Sequence, residues 1–321
     1  MIKRTLVALC LCATSLGVPA DEHDAVFWLN RMASAAKQLN YAGTFTYLSG
    51  QRFETMRIAR ASGPEGEVER LETLDGSPRE VVRRDGEVRC VLPDLKTVII
   101  DRQGRRRAFP DRLPVAVSGL EEHYRIVKGD LGRVAGRQAQ AVMLEPLDNL
   151  RYGHHLWADV ETGLLLKARM VDPAGGVVEQ FVFSEVTVGE LAPELFAARY
   201  TPADDWHVVN ARGNEASSDD IGWSLVDMLP GYRLVSSVRR SVGEPDHDVL
   251  HLVYSDGLTH ISVFVEPETG NGAVAVPAGF LSAGSIGVYK RSVAGSRLMV
   301  LGEAPREALR RVADGMAATV K

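Results

Sequence analysis

Apolar residues recur at three- and four-residue intervals after Asp24: Val26, Leu29, Met32, Ala33, Ala36 and Leu39. That spacing lines one face of a helix. Asp24 stands where an N-cap belongs, and Asn40 or Gly43 ends the run. From Gly43 to Val188 the period changes to two. "GTFTYLS", "FETMRIARA" and "GEVERLETLDG" read as successive strands. "REVVRRDGEVRCVLP" reads as a hairpin about Asp85-Gly86, because that dipeptide suits the tight turn. "KTVIID" (96–101) is a short β-branched strand, and the stretch "RQGRRRAFPDRLPVAVSGLEEHY" after it predicts a long loop with a helical turn. Strands resume in "YRIVKGD", "GRQAQAVMLEP", "HHLWADV", "LLLKARMV" and "VVEQFVFSEV". One helix followed by antiparallel strands and tight turns predicts a mainly β (α+β) domain built on one large curved sheet.

Residues 156–186 depart from simple alternation. Leu164, Leu166, Ala168 and Met170 would share one face, and Leu165, Lys167, Arg169 and Val171 the other. A half-buried strand is apolar on one side only. Here both sides carry apolar bulk, so protein or ligand must cover the second.

The pattern breaks between Pro193 and Asn214, which is polar and rich in turn formers. A second unit begins near Ile221. "GYRLVSSVRRS", "DVLHLVYSDGLTHISVFVEP" and "GSIGVYKRSVAGSRLMVLGE" are strand-like, with a hairpin at Ser255-Asp256-Gly257. Pro305 opens a last helix striped by Leu309, Val312 and Met316. No fixed-period repeat is present.

The 321 residues suit two domains. Lys3 and Arg4, the apolar stretch Thr5–Val18 and the small-residue site Val18-Pro19-Ala20 predict a signal peptide over residues 1–20. Cys10 and Cys12 each follow a leucine, unlike a lipidated cysteine. These features predict a soluble exported protein, with the bacterial periplasm its destination. Removing the leader takes away two positive charges and moves the formal charge from −5 to −7. That balance disfavours nucleic acid as a partner. Only Cys90 remains, in the apolar run Val88–Leu92, so no internal disulfide forms and a buried thiol is expected.

Motifs of catalysis are missing. Gly222-Trp223-Ser224-Leu225-Val226 lacks the second glycine of a nucleophile elbow. There is no phosphate loop, dinucleotide fingerprint or zinc-protease motif. His154 and His155 are neighbours in a strand and point to opposite faces. Asp159 and Glu161 sit in a turn that they serve structurally. No catalytic residue, cofactor or metal site is therefore assigned. His23 would be third in the mature chain, where amine, backbone nitrogens and imidazole suit a square-planar Cu(II) or Ni(II) chelate, but such termini arise by chance and the motif is not assigned as a site. Arg102, Arg105, Arg106 and Arg107 read either as a solvated loop tip or as a site for phosphate or carboxylate groups. Arg239-Arg240 and Lys290-Arg291 raise the same question in the second unit.

Several stretches in order resemble the MucB/RseB family: "FWLNRM", "YAGTFTY", "VERLETLDGSPREVVRRDGEVRC", "RVAGRQA", "RYGHHLWADVETGLLLKARM", "VEQFVF", "YSDGLTHISVFVEP" and "VLGEAP". The likeness runs from about residue 24 to 316. It implies an unclosed β-barrel of the lipoprotein-carrier (LolA-like) type over 21–198 with helices plugging its concave side. A linker at 199–220 and a smaller partner-binding domain at 221–321 would follow. It also implies a periplasmic negative regulator of the envelope-stress sigma factor. Such a protein holds the periplasmic domain of a MucA/RseA-type anti-sigma factor and protects it from proteolysis. Lipid-type signals, such as lipopolysaccharide or lipoprotein acyl chains, release it. The resemblance supplies no catalytic residues and leaves a homo-oligomer open.

A concave sheet must be filled by helices or by acyl chains. Phe45, Tyr47, Leu164, Leu166, Met170, Phe181 and Phe183 are the candidates for a lipid-lining surface, with ordinary core under the first helix as the plain alternative. Arg239, Arg240, Lys290 and Arg291 are the candidate partner-binding residues. The competing function is a periplasmic lipid or lipoprotein carrier, which would have no need of a second domain. An envelope enzyme is disfavoured by the missing motifs.

Overall fold

The computed structural model describes residues 24–64, 66–102, 119–217, 221–241, 248–268 and 278–319. The leader, His23 and Arg105–Arg107 lie outside the described residues. Helix α1 (Ala25–Gln38) starts where Asp24 accepts the Phe27 N–H at 2.7 Å. It stops where Leu39 turns extended. The buried face is Ala25, Trp28, Leu29, Met32, Ala33 and Ala35.

A first meander follows: β1 (Tyr41–Ser49), β2 (Arg52–Gly63), β3 (Gly66–Thr73), β4 (Glu80–Arg84), β5 (Glu87–Leu92) and β6 (Thr97–Arg102). Asp85 and Gly86 between β4 and β5 have φ of 50° and 79°, the left-handed pair that a two-residue hairpin needs. A second meander holds β7 (Tyr124–Val134), β8 (Arg137–Pro146), β9 (Gly153–Asp159), β10 (Leu165–Val171) and β11 (Val177–Val188). β11 then pairs antiparallel with β1. The two meanders thus form one open twelve-stranded sheet whose outer strands are β7 and β12 (His207–Asn210). A sheet this wide must twist and curl, and α1 lies against β7, β8 and β10. The first core joins the helix to Phe45, Ile58, Tyr124, Val142, Leu144, Leu166 and Phe183.

The apolar run 164–166 has a local cause. Leu165 pairs with Ala158, but Lys167 pairs with Trp157, so the register slips between them. The extra residue of this bulge turns neighbouring side chains to one side. Leu164, Leu165 and Leu166 are all buried in the first core, while Lys167 and Arg169 are half-buried on the other face. Strict alternation through this run does not hold.

The segment after β11 lies along the sheets rather than away from them. The turn Pro193–Phe196 rests on β2 and β3. The Arg199 N–H donates to the Glu80 carboxylate at 3.0 Å, and its guanidinium pairs with Glu72. Lys96 meets Asp205 at 2.6 Å. β12 then adds parallel to β6, the only parallel pair among the described residues of a sheet expected to be antiparallel throughout. Here the backbone of a four-residue segment, His-Val-Val-Asn, supplies the pairing, which side-chain alternation does not announce.

The second domain comprises β13 (Asn214–Glu215), β14 (Trp223–Leu225), β15 (Arg233–Ser241), β16 (Asp248–Ser255), β17 (His260–Pro267), β18 (Gly279–Ala283), β19 (Ile286–Val293), β20 (Ser296–Gly302), α2 (Arg306–Gly315) and β21 (Met316–Ala318). Seven strands run in the order β13-β15-β16-β17-β20-β19-β18, and β14 pairs with β21. Helix α2 buries Ala308, Leu309, Val312 and Ala313 against Leu252, Ile261, Val263, Leu298 and Val300. Met316, expected in the helical stripe, opens β21 instead, yet its side chain reaches the same core.

Candidate functional site

Five of the seven candidate lipid-lining residues are buried in the first core, Phe45, Leu164, Leu166, Phe181 and Phe183, with Tyr47 packed partly buried against it; Met170 is also buried, outside that cluster. Phe45, Phe181 and Phe183 form a triangle of edge-to-face contacts, with centroids 5.7–6.2 Å apart, a favoured geometry for aromatic rings. This cluster shares one core with the Trp28, Leu29 and Met32 side chains of α1.

Met170 and Phe181 also border a crevice between the domains. Its walls are Leu156, Leu165 and Ala168 from the first domain and Leu258 from the second, with His154, Arg169, Glu179, Thr259 and Glu303 as polar groups. The crevice holds about 40 Å³. That is space for a few waters and far below the several hundred Å³ of a ligand pocket. An acyl chain enters only if the domains separate.

The four candidate cations do not converge. Arg239 and Arg291 lie in one cross-strand row through Leu250, Val265 and Leu298. Three strands separate β15 from β19, so at about 4.8 Å per strand they stand roughly 19 Å apart. Arg240 reaches Asp101 of the first domain at 3.4 Å. Arg291 pairs with Asp314 of α2. Lys290 sits one residue away on the opposite face, half-buried. Adjacent charges on a strand serve two faces, so the two dipeptides do not make one patch.

Around the crevice the domains are joined by polar contacts that charge and pattern alone did not reveal. Arg151, in the loop between β8 and β9, is 0% exposed. Its guanidinium donates to the Pro230 carbonyl at 2.6 Å, to Asp256 Oδ2 at 3.1 Å and to Asp148 Oδ1 at 3.1 Å. The rings of Tyr124 and Tyr232 lie 5.6 and 5.3 Å from it. Burial opposes its charge, but Asp256, Tyr232 and Asp148 outweigh that cost and hold its pKa above the ordinary value. Burial, with Asp256 next, pushes both phenols well up, so both stay neutral, and Tyr124 donates to Asp256 Oδ2 at 3.2 Å. A second seam contact links Ser49 Oγ, Ser285 Oγ and Glu179 at 2.9 Å each. At a third, His123 fills the space beside Gly231.

Asp159 and Glu161 both accept from Arg137 at 2.9 Å, and Asp159 also holds Thr162. They fix the β9–β10 turn. His154 and His155 point to opposite faces: His154 borders the crevice, while His155 meets the Trp157 ring edge-on at 6.4 Å. Among the described residues, no group of His, Cys, Asp and Glu is arranged to hold a metal ion. No described helix is long and apolar enough to cross a membrane.

Known proteins share this two-domain plan along the chain. The MucB/RseB N-terminal domain model matches residues 24–208, and the MucB/RseB C-terminal domain model matches residues 217–317. The sigma factor AlgU regulatory protein MucB of Pseudomonas aeruginosa is 34% identical over 316 residues, covering 97% of this chain and 96% of its own. A crystal structure of MucB in complex with MucA(peri) superposes with a TM-score of 0.72 at 30% identity, over 93% of this chain and 100% of that one. A crystal structure of MucB gives 0.64 at 28% identity, over 92% and 98%. The two family models divide the chain as the two sheets do, and a regulatory relative matches it end to end: the chain belongs to the MucB/RseB family of sigma-factor regulatory proteins.

Proposed function

We propose that the chain is a periplasmic regulatory binding protein that holds the periplasmic segment of an anti-sigma factor. By shielding that segment from proteolysis it restrains the envelope-stress sigma factor, and lipid-type signals release it. The observation that carries this reading is the match, through both domains, to MucB in complex with MucA(peri). The leader-like first twenty residues support export.

The carrier alternative has less support. A carrier presents an open apolar concavity, whereas α1 fills this one with Trp28, Leu29 and Met32. Lipid action on a regulator has a physical route: an amphiphile gains apolar contact with Leu156, Met170, Phe181 and Leu258 only when the seam opens. It then binds the open arrangement in preference to the closed one, and such differential affinity alone shifts a conformational equilibrium. The test is to form the complex with the purified periplasmic segment of the cognate anti-sigma factor, add lipopolysaccharide, and follow it by gel filtration and by proteolysis of the segment. Dissociation together with faster cleavage is expected. A complex that persists and protects regardless of lipopolysaccharide would separate holding from sensing and remove the lipid half of the proposal.

A further inference from the structure

One buried guanidinium ties the two domains together. Arg151 and the Asp256 side chain are both fully buried. Tyr124, Asp148 and Arg151 come from the first domain; Pro230, Tyr232 and Asp256 come from the segments of the second. Asp256 does more than neutralise the charge. Its Oδ2 accepts from Tyr124 at 3.2 Å, and its Oδ1 accepts the N–H groups of Leu258 and Thr259 at 3.0 and 2.8 Å. Its turn therefore docks Leu258 on the first core, while Leu150, beside Arg151, inserts into the second. Apolar contact alone tolerates sliding. A buried charge with fixed fork geometry does not, because any other arrangement leaves it unpaired. Both MucB structures match this chain through both domains, the one in complex with MucA(peri) at a TM-score of 0.72 and the other at 0.64.

We propose that Arg151 is a positioning residue for partner binding: through Asp256 it sets the domain orientation in which the anti-sigma segment is held. The inference rests on the function proposed above. A chain that leaves this orientation binds in proportion to the fraction that retains it. Release of the same latch opens the crevice at the seam.

The variant Arg151→Met alone strands the Asp256 carboxylate and risks misfolding. Arg151→Met with Asp256→Asn keeps an unbranched stem and the Oδ1 acceptor of the turn, and removes both charges. Small-angle scattering of this double variant is expected to show a broadened, more extended particle with unchanged circular dichroism. Calorimetry with the cognate anti-sigma periplasmic segment is expected to show binding weakened about tenfold, as when one chain in ten is competent. A covalent lock separates positioning from folding. Ser49 and Ser285, with Oγ atoms 2.9 Å apart, are replaced by cysteine in a Cys90→Ser background, which places two sulfurs within bridging reach. The lock alone should leave wild-type affinity. Added to the double variant it should restore compactness and affinity when oxidised, and lose both on reduction. Scattering unchanged in the double variant overturns the latch. Affinity unchanged in it, or not restored by the oxidised lock, overturns the positioning role. A wild-type chain that does not bind the segment overturns the functional reading, and the scattering result then judges the latch by itself.

Discussion

If α1 is part of the core rather than a plug that ligand exchanges, truncating its buried face must cost what a core truncation costs. Leu29 is 1% exposed and lies between Trp28 and Met32, which are equally buried. Leu29→Ala removes three carbon atoms from a site that α1 and the strands beneath it fill on all sides. Buried leucine truncations cost about 2–5 kcal/mol, the spread reflecting how far the site collapses. A cost of about 3 kcal/mol lowers the melting temperature of a domain this size by roughly 6–12 °C. The assay is urea unfolding followed by tryptophan fluorescence, with calorimetry for the melting temperature. Ser34→Ala, on the exposed face of the same helix, is the control and should stay within about 0.5 kcal/mol. A loss below about 1 kcal/mol for Leu29→Ala, with rapid amide exchange through α1, would refute the reasoning. The concave face would then be held by something other than this helix.

Asp159 gives a pH-dependent expectation. Burial raises its carboxyl pKa, but bonds from Arg137 and Thr162 outweigh that and hold it below the ordinary value. A depressed folded-state pKa contributes stability that is complete above the unfolded value near 4 and disappears as pH falls through the folded one. Asp159→Asn should therefore cost about 1–2 kcal/mol at neutral pH, and the gap from wild type should narrow below about pH 4; a gap that stays constant down to pH 2.5 would contradict this. Gly231→Ala should open the seam, since its φ is +75° and a Cβ there would stand 2.1 Å from His123 Nε2. A compact, wild-type scattering profile for that variant would show the contact to be dispensable. Burial raises the Cys90 thiol pKa, against the opposing effect of Arg79 and Arg83. Alkylation at neutral pH should accordingly be slow until urea unfolds the chain, and equal rates in both states would count against this.

Much of the architecture is legible because period-two and period-three-to-four patterns follow from burial on one face. The helix after Asp24, the hairpin at Asp85-Gly86 and the longer strands of both sheets carry that signal directly. The bulge at Leu165–Leu166 does not, because a slipped register inside an apolar run leaves its composition unchanged. β12 also escapes, since a four-residue strand joined through its backbone needs no alternation. The seam is the largest omission. Nothing in the sequence marks Arg151, since arginines are seldom fully buried; only the fold brings Asp256, Tyr124 and Tyr232 to it from distant stretches. "RYGHH" and "YSDG" stand out in the resemblance, but as sequence they do not say that the arginine of one meets the aspartate of the other. The basic pairs are visible in the sequence, but their placement is not: strand geometry sends the neighbouring charges of each pair to opposite faces.

The central claim is that this chain holds an anti-sigma factor. Isothermal titration of the mature protein with the purified periplasmic segment of its cognate anti-sigma factor tests it most directly. The account predicts saturable heat with a dissociation constant of about 1 μM or tighter, some 8 kcal/mol of binding free energy, and co-elution on gel filtration. No heat and no co-elution would contradict it.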